Sequence, residues 1–287
     1  MASSLPIIDI SPFLHPHATK DSLSETANLI HQACSKTGFF YLTGHGISKE
    51  EMSKILQVTR AFLVDGSEET KARLSIFLND KARGYQRRGE NVTSGKPDWH
   101  EALDLYAPSP FGSDGLGKIL GGENRYPEEP KIFKQVVENW VKQMCELGQI
   151  VMRATAMGLG LSEAEIKKLL DQVQDSFWVL RCIGYPPLPT TYDGVSCGAH
   201  KVLISFFGLI NPDYGCYTFL HTDSTKGALQ VFVPGNHVGE PGRWIEANPL
   251  EGAFVVNIGE MWEIWTNGLY KATLHRVIHK GSNYRVS

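Results

Sequence analysis

Hydrophobic positions recur at helical spacing through the first half of the chain and gather into short runs in the second. Pro6 to Ile10 is a small extended run. From about Ser22, the residues Leu23, Leu29, Ile30, Ala33 and Cys34 share one face of a predicted helix that ends before Gly38. Phe39-Phe40-Tyr41-Leu42 predicts a buried strand, closed by Gly44-His45-Gly46. Ser48 and Glu51 have the spacing of a capping box, in which hydroxyl and carboxylate satisfy the orphan amides of a helix start. Met52, Ile55, Leu56 and Phe62 follow at helical spacing. The longest helix is predicted from Pro130, with Phe133, Val136, Val137, Trp140, Met144, Leu147 and Val151 inward, and a stop near Gly158. Ser162 and Glu165 cap a further short helix.

After Phe177 the texture changes. Phe177–Leu180, Gly227–Val233, Ala253–Ile258 and Thr273–His279 are short β-branched or aromatic runs separated by Gly, Pro and Asn clusters. Strands after helices give an α+β chain whose β half is a jelly roll or barrel, with a helical N-terminal layer over one core. The polar, Gly-rich stretch from Asp80 to Asn124 reads as an irregular connection.

Composition narrows the class. At 287 residues and 42% hydrophobic, the chain buries a large core without disulfide or metal staples. A net charge of −3 carries no nucleic-acid or anionic-membrane footprint, so neither partner is expected. Apolar runs are too short for a membrane span, and Met1 to Pro6 has no signal-peptide character. Five scattered cysteines without C-x-x-C spacing fit a reduced, cytoplasmic setting.

Several motifs carry little. Gly115-x-Gly117-x-x-x-Gly121 has the wrong spacing for a dinucleotide fingerprint, and His100-Glu101-x-x-Asp104 lacks the second histidine of a zinc protease, so a surface turn or internal salt bridge is expected there. Trp99, Tyr106, Trp262 and Trp265 are aromatic enough to line an apolar pocket, although a place in the core is the plainer reading of each. The β half offers more. His221-Thr222-Asp223 places a histidine and a carboxylate on one side of an extended strand, and His275 lies 54 residues on. Two histidines and a carboxylate with open positions opposite is the ligand set of non-haem Fe(II) oxygenases, although a solvated turn is a strong competing reading. Ten residues beyond His275 comes Arg285-Val286-Ser287. A guanidinium fork and a hydroxyl two positions along a strand suit the carboxylate of a dicarboxylic co-substrate; the bland alternative is the end of an exposed strand.

Phe39 to Ile47 resembles the N-terminal signature of the Fe(II)/2-oxoglutarate dioxygenases related to isopenicillin N synthase. Asn257–Met261, Trp265–Gly268 and Leu274–Val277 match the same family's C-terminal half in order and spacing. The resemblance implies a double-stranded β-helix, Fe(II) as metal, 2-oxoglutarate and O2 as co-substrates, and oxidation of a small organic molecule. It marks His275 as the distal iron ligand, Arg285 and Ser287 as the 2-oxoglutarate clamp, and Tyr185 as a further contact. It divides the chain into an N-terminal region (1–120), a helical support (121–175) and an oxygenase core (176–287).

Two departures from the family pattern stand out. The family's Gly-Ala-His-Thr-Asp-Tyr-Gly is here Gly198-Ala199-His200 and, after an insertion of residues 201–212, Asp213-Tyr214-Gly215. The resemblance therefore makes His200 and Asp213 the proximal iron ligands, with His221 and Asp223 the alternative pair. The apolar run Val202 to Ile210 is unlike a surface loop and reads as foreign to the ancestral fold. The second departure is a C-terminal strand that is missing beyond Ser287, which would leave the clamp at a fraying end. These departures raise a second reading, a non-catalytic or impaired relative. A metal-dependent isomerase or hydrolase using His221, Asp223 and His275 is a third.

Overall fold

The computed structural model describes residues 4–79, 82–93, 95–108, 122–192, 194–200, 215–235 and 240–287; the insertion 201–212 and Asp213 lie outside the described residues. The helices are α1 Lys20–Lys36, α2 Lys49–Arg60, α3 Glu68–Arg73, α4 Phe133–Gly158, α5 Glu163–Gln172 and α6 Glu260–Trp265. The strands of the first half are β1 Ile7–Asp9, β2 Phe39–Thr43, β3 Gly84–Gln86, β4 Val92–Thr93, β5 Lys96–Pro97 and β6 Glu101–Tyr106. Those of the second are β7 Val179–Tyr185, β8 Cys197–His200, β9 Tyr217–Leu220, β10 Leu229–Val233, β11 Arg243–Glu246, β12 Phe254–Ile258, β13 His275–Val277 and β14 Arg285–Val286. They form three four-stranded sheets, in the orders β1-β2-β12-β9, β11-β10-β13-β8 and β14-β7-β6-β3, with β4 and β5 paired apart.

The first sheet is buried on both faces, and the period of two sorts its side chains between them. Phe40, Leu42, Phe254 and Val256 join Ile30, Cys34, Met52, Ile55, Val137 and Trp140 from α1, α2 and α4. Phe39, Tyr41 and Val255 point the other way, into a second cluster with Leu229, Val231 and Val277 of the second sheet. This two-sided burial explains why Phe39 to Leu42 is continuously apolar rather than alternating. The third sheet contributes to both cores: Leu103, Leu105 and Cys182 to the first, Tyr185 to the second.

The helix starts follow their capping chemistry. The Ser48–Glu51 and Ser162–Glu165 capping boxes are both formed. The buried stripe of α1 is rotated from the predicted one: Thr26, Ala27, Ile30, Ala33 and Cys34 face the core, while Leu29 is 44% exposed. Thr26 counts as an inward residue because its hydroxyl donates to Asp9 O at 3.3 Å. The longest helix begins at Phe133 rather than Pro130, because the Phe133 amide first closes a turn onto Pro130 O at 2.8 Å.

The expectation of an irregular connection from Asp80 to Asn124 is corrected. β3, β4, β5 and β6 fall within it, and every residue of β6 is buried. Its two acidic residues disguise it as a loop, and both carboxylates are satisfied internally. Glu101 accepts from Lys71 Nζ at 2.9 Å and from the hydroxyls of Tyr85 and Tyr284, the latter at 2.7 Å. Asp104 accepts from Arg181 Nε at 2.8 Å and Gln86 Nε2 at 2.6 Å. The His100-Glu101-x-x-Asp104 motif thus supplies internal salt bridges, on a buried strand rather than a turn. No helix among the described residues is long and apolar enough to cross a membrane.

Candidate active site

β8 and β13 pair antiparallel with His200 directly opposite His275. Their rings lie 4.4 Å apart, centroid to centroid. Each Nδ1 faces a backbone carbonyl, Gly198 O at 2.7 Å for His200 and Thr273 O at 3.0 Å for His275. A carbonyl only accepts, so both Nδ1 atoms carry the proton and both Nε2 atoms present a lone pair, the tautomer of a metal-ligating histidine. Phe39 packs edge-on against His275, with centroids 5.3 Å apart.

Both histidines line a cavity of about 670 Å³, together with Tyr185, Arg181, Asn257, Leu229, Val277 and Ser287. Arg285 is opposite Tyr185 in the β14–β7 register, and its guanidinium lies 4.7 Å from the centre of the Tyr185 ring. Arg285 is 2% exposed. Its Nε and Nη1, and the Ser287 hydroxyl, are buried with no hydrogen-bond partner among the described residues. A buried cation with unanswered donors is costly, by several kcal/mol, unless an anion meets it. The fork and the hydroxyl therefore fit a carboxylate that enters from the cavity. The predicted fraying at this end is not seen: Ser287 N donates to Ile183 O at 2.9 Å, and Ile183 N to Ser287 O at 2.8 Å.

His221 and Asp223, the alternative proximal pair, have other partners. His221 Nε2 donates to Met52 O at 2.8 Å, and its ring packs on Trp140 and Phe254. Asp223 pairs with Arg60 at 2.5 Å and accepts from the amides of Val286 at 2.9 Å and Thr225 at 3.1 Å. The loop after β9 is thereby tied to α2 and to the strand that carries Arg285. Asp213, the family-matched carboxylate, lies outside the described residues.

Sequence reasoning assigns no role here to Asp98 or Cys197 and sets His100 aside as part of a turn or salt bridge, yet the three bring ligand-type atoms within 4.8 Å of one another, with His100 and Cys197 at the cavity. Asp98 accepts from the Gly198 amide at 2.8 Å and the Thr93 hydroxyl at 2.7 Å, and His100 Nδ1 donates to Ser196 O at 3.1 Å. Arg181 was missed as well, although its place two and four residues before Ile183 and Tyr185 sets all three on one side of β7. Of the four aromatic residues that could have lined a pocket, Tyr106 and Trp262 are core and Trp265 is exposed, and neither they nor Trp99 line the cavity.

Burial pushes His100 down to about 3, with the charge of Arg181 adding to the effect. Burial likewise lowers His45 and His221. Each folded pKa lies below the unfolded value, so the unfolded chain takes up protons first as pH falls. Stability is then fully present above about pH 6.5 and declines on acidification, for His100 down to about pH 3, at up to ~1.4 kcal/mol per pH unit per group. Urea midpoints are expected to fall steadily between pH 7.5 and pH 5, and His100→Asn to flatten that slope. An unchanged slope in the variant contradicts the assignment.

Two family models match the chain: the N-terminal region of non-haem dioxygenases in morphine synthesis over residues 5–129, and the 2OG-Fe(II) oxygenase superfamily over residues 208–287. A homoarginine-6-hydroxylase of Glycine max is 40% identical over 99% of this chain and 84% of its own length. A full-length Neurospora crassa protein, solved in complex with alpha-KG and thymine, matches with a TM-score of 0.73 and 26% identity, covering 98% of this chain and 84% of that one. JOX2, solved with 2OG, Fe and JA, matches with a TM-score of 0.73 and 25% identity, covering 99% and 72%. These structures share the double-stranded β-helix of 2OG-Fe(II) oxygenases. With the facing histidines, the unanswered arginine fork and these likenesses together, the chain belongs to the 2-oxoglutarate- and Fe(II)-dependent dioxygenases, enzymes that use Fe(II) with 2-oxoglutarate and O2.

Proposed function

We propose that this protein hydroxylates or desaturates a small organic molecule, with release of succinate and CO2. The observation that carries the reading is the buried, unanswered fork of Arg285, packed on Tyr185, which together with Ser287 lines the cavity of His200 and His275. In this reading His200, Asp213 and His275 hold Fe(II), and Arg285 and Ser287 hold the distal carboxylate of 2-oxoglutarate against Tyr185. Bound Fe(II), with 2-oxoglutarate and O2, supplies the oxidising power for a C–H bond. The chain's own part is positional. The carbonyls of Gly198 and Thr273 aim the two imidazoles. Phe219, Leu229 and Val277 keep the cavity wall apolar and exclude water. The engagement of His221 with Met52 O and of Asp223 with Arg60 supports His200 and Asp213 over that pair.

Iron-dependent release of CO2 from 2-oxoglutarate by the purified protein tests this. Release is expected, with succinate formed in equal amount and both stimulated by the prime substrate. L-homoarginine is the first substrate to try, because the Glycine max relative is named for it. Folded, iron-loaded protein that releases no CO2 rejects the proposal and leaves the impaired relative, for which the split between His200 and Asp213 is the cause.

A further inference from the structure

The tripeptide His221-Thr222-Asp223 lies beside β14, the strand that carries Arg285 and leads into Ser287. β14 has β7 on one side: Arg285 stands opposite Tyr185, and Ser287 exchanges both main-chain bonds with Ile183. In an antiparallel ladder the residue between two such pairs turns its amide and carbonyl the other way, so those of Val286 point to the outer edge of β14. Asp223 meets both. Its amide donates to Val286 O at 3.0 Å, and its Oδ2 accepts from Val286 N at 2.9 Å. One residue thus supplies the donor and the acceptor that a further strand would bring.

The carboxylate is itself fixed. Oδ2 also accepts from Arg60 Nη2 at 2.5 Å, and Oδ1 from the Thr225 amide at 3.1 Å. Arg60 Nη1 donates to Tyr284 O at 2.9 Å. The last residue of α2 therefore reaches the outer edge of β14 twice, directly at Tyr284 and through Asp223 at Val286. The Asp223 side chain is 17% exposed, so water screens the pair only in part. What these bonds hold is the main chain between Arg285 and Ser287, whose side chains share one side of the strand. A fork grips a carboxylate productively only when it is placed to within about 0.5 Å. β7 steadies the strand from one edge, and Asp223 with Arg60 steadies it from the other.

We propose that Asp223, backed by Arg60, is a positioning residue for the co-substrate: it locks the strand of Arg285 and Ser287 so that the clamp selects a distal carboxylate. This rests on the reading of Arg285 and Ser287 as that clamp, but the binding itself is measurable without turnover. 2-Oxoglutarate and 2-oxobutyrate, which has the same oxoacid end and lacks the distal carboxylate, are titrated calorimetrically into Mn(II)-loaded protein without oxygen. The wild type is expected to prefer 2-oxoglutarate by about tenfold or more, as a charge-assisted fork on a carboxylate allows. Asp223→Ala should bring the two ligands to within about threefold of each other, by weakening 2-oxoglutarate alone. Its affinities for 2-oxobutyrate and for Mn(II) should stay within about twofold of wild type, which a generally loosened protein would not show. Asp223→Asn, whose carbonyl can still accept from Val286 N, should recover part of the preference. Arg60→Gln, read in the same way, decides the question if Asp223→Ala does not fold by circular dichroism. The proposal is overturned if the preference survives in the variant, if both oxoacids are lost alike, or if Mn(II) binding goes, which would make Asp223 a ligand. CO2 release by the wild type with the preference intact in Asp223→Ala sinks this proposal alone; an Asp223-dependent preference without CO2 release sinks the oxygenase reading alone.

Discussion

Replacing His275 with alanine is expected to abolish tight binding of Mn(II) or Fe(II) and, with it, all release of CO2 from 2-oxoglutarate. Loss of a partner that merely orients a ligand lowers metal affinity by about 10- to 100-fold, and removing a ligand should exceed that range. The same titration on His221→Ala is the control. That variant loses the hydrogen bond to Met52 O and the packing on Trp140 and Phe254, so stability should fall by about 1–3 kcal/mol. Its metal affinity should match the wild type, because its Nε2 is engaged by α2. Titration calorimetry with Mn(II) reads both. Metal binding that disappears in His221→Ala as it does in His275→Ala would move the proximal ligands to His221 and Asp223, and binding that survives in His275→Ala would remove that histidine from the centre.

The second large effect is on stability and lies outside the cavity. Glu101→Ala leaves the Lys71 ammonium buried with Leu63 O as its remaining bond, at 2.6 Å, and strips the Tyr85 and Tyr284 hydroxyls of their acceptor. Burial, reinforced by the charge of Glu101, pushes both phenols well above their ordinary pKa, so they stay protonated donors. Breaking such a pair from one side costs about 3–5 kcal/mol, a large part of an ordinary domain's 5–15 kcal/mol. Removing both charges, as in Lys71→Met with Glu101→Leu, should recover much of the loss. Urea unfolding followed by circular dichroism measures it. A Glu101→Ala variant within about 1 kcal/mol of wild type would show that the network contributes little.

What the residues reveal in advance depends on whether the deciding partner is near in sequence. Ser48 and Ser162 meet their glutamates three positions away, and both capping boxes form as read. The aromatic run Phe39–Leu42 declares burial without needing its neighbours. β6 does not declare itself, because the groups that neutralise Glu101 and Asp104 come from Lys71, Tyr85, Tyr284, Gln86 and Arg181, scattered along the chain. The intact His221-Thr222-Asp223 tripeptide is attractive locally for the same reason: Met52 and Arg60, which engage it, lie more than 160 positions away. His275 and His200 are brought face to face by a strand pairing that spacing alone does not reveal. Arg285 and Ser287 could be singled out early because an i, i+2 pair needs only one strand to become a clamp.

The first sheet has a consequence for how the chain is made. β2 sits between β1, which is synthesised before it, and β12, which follows about 200 residues later. At 5–20 residues per second, Phe39 to Leu42 waits roughly 10–40 s on the ribosome for its antiparallel neighbour. During that interval the strand gains β1, α1, α2 and α4 for company but neither β12 nor the second sheet, so the face that carries Phe39 and Tyr41 remains open to solvent or to a chaperone. Of the three four-stranded sheets only the second lies wholly within one half of the chain, and the first and third each draw strands from both, so separately expressed halves are poor candidates for independent folding, whereas halves produced together have a route to recombine through β2 and β12.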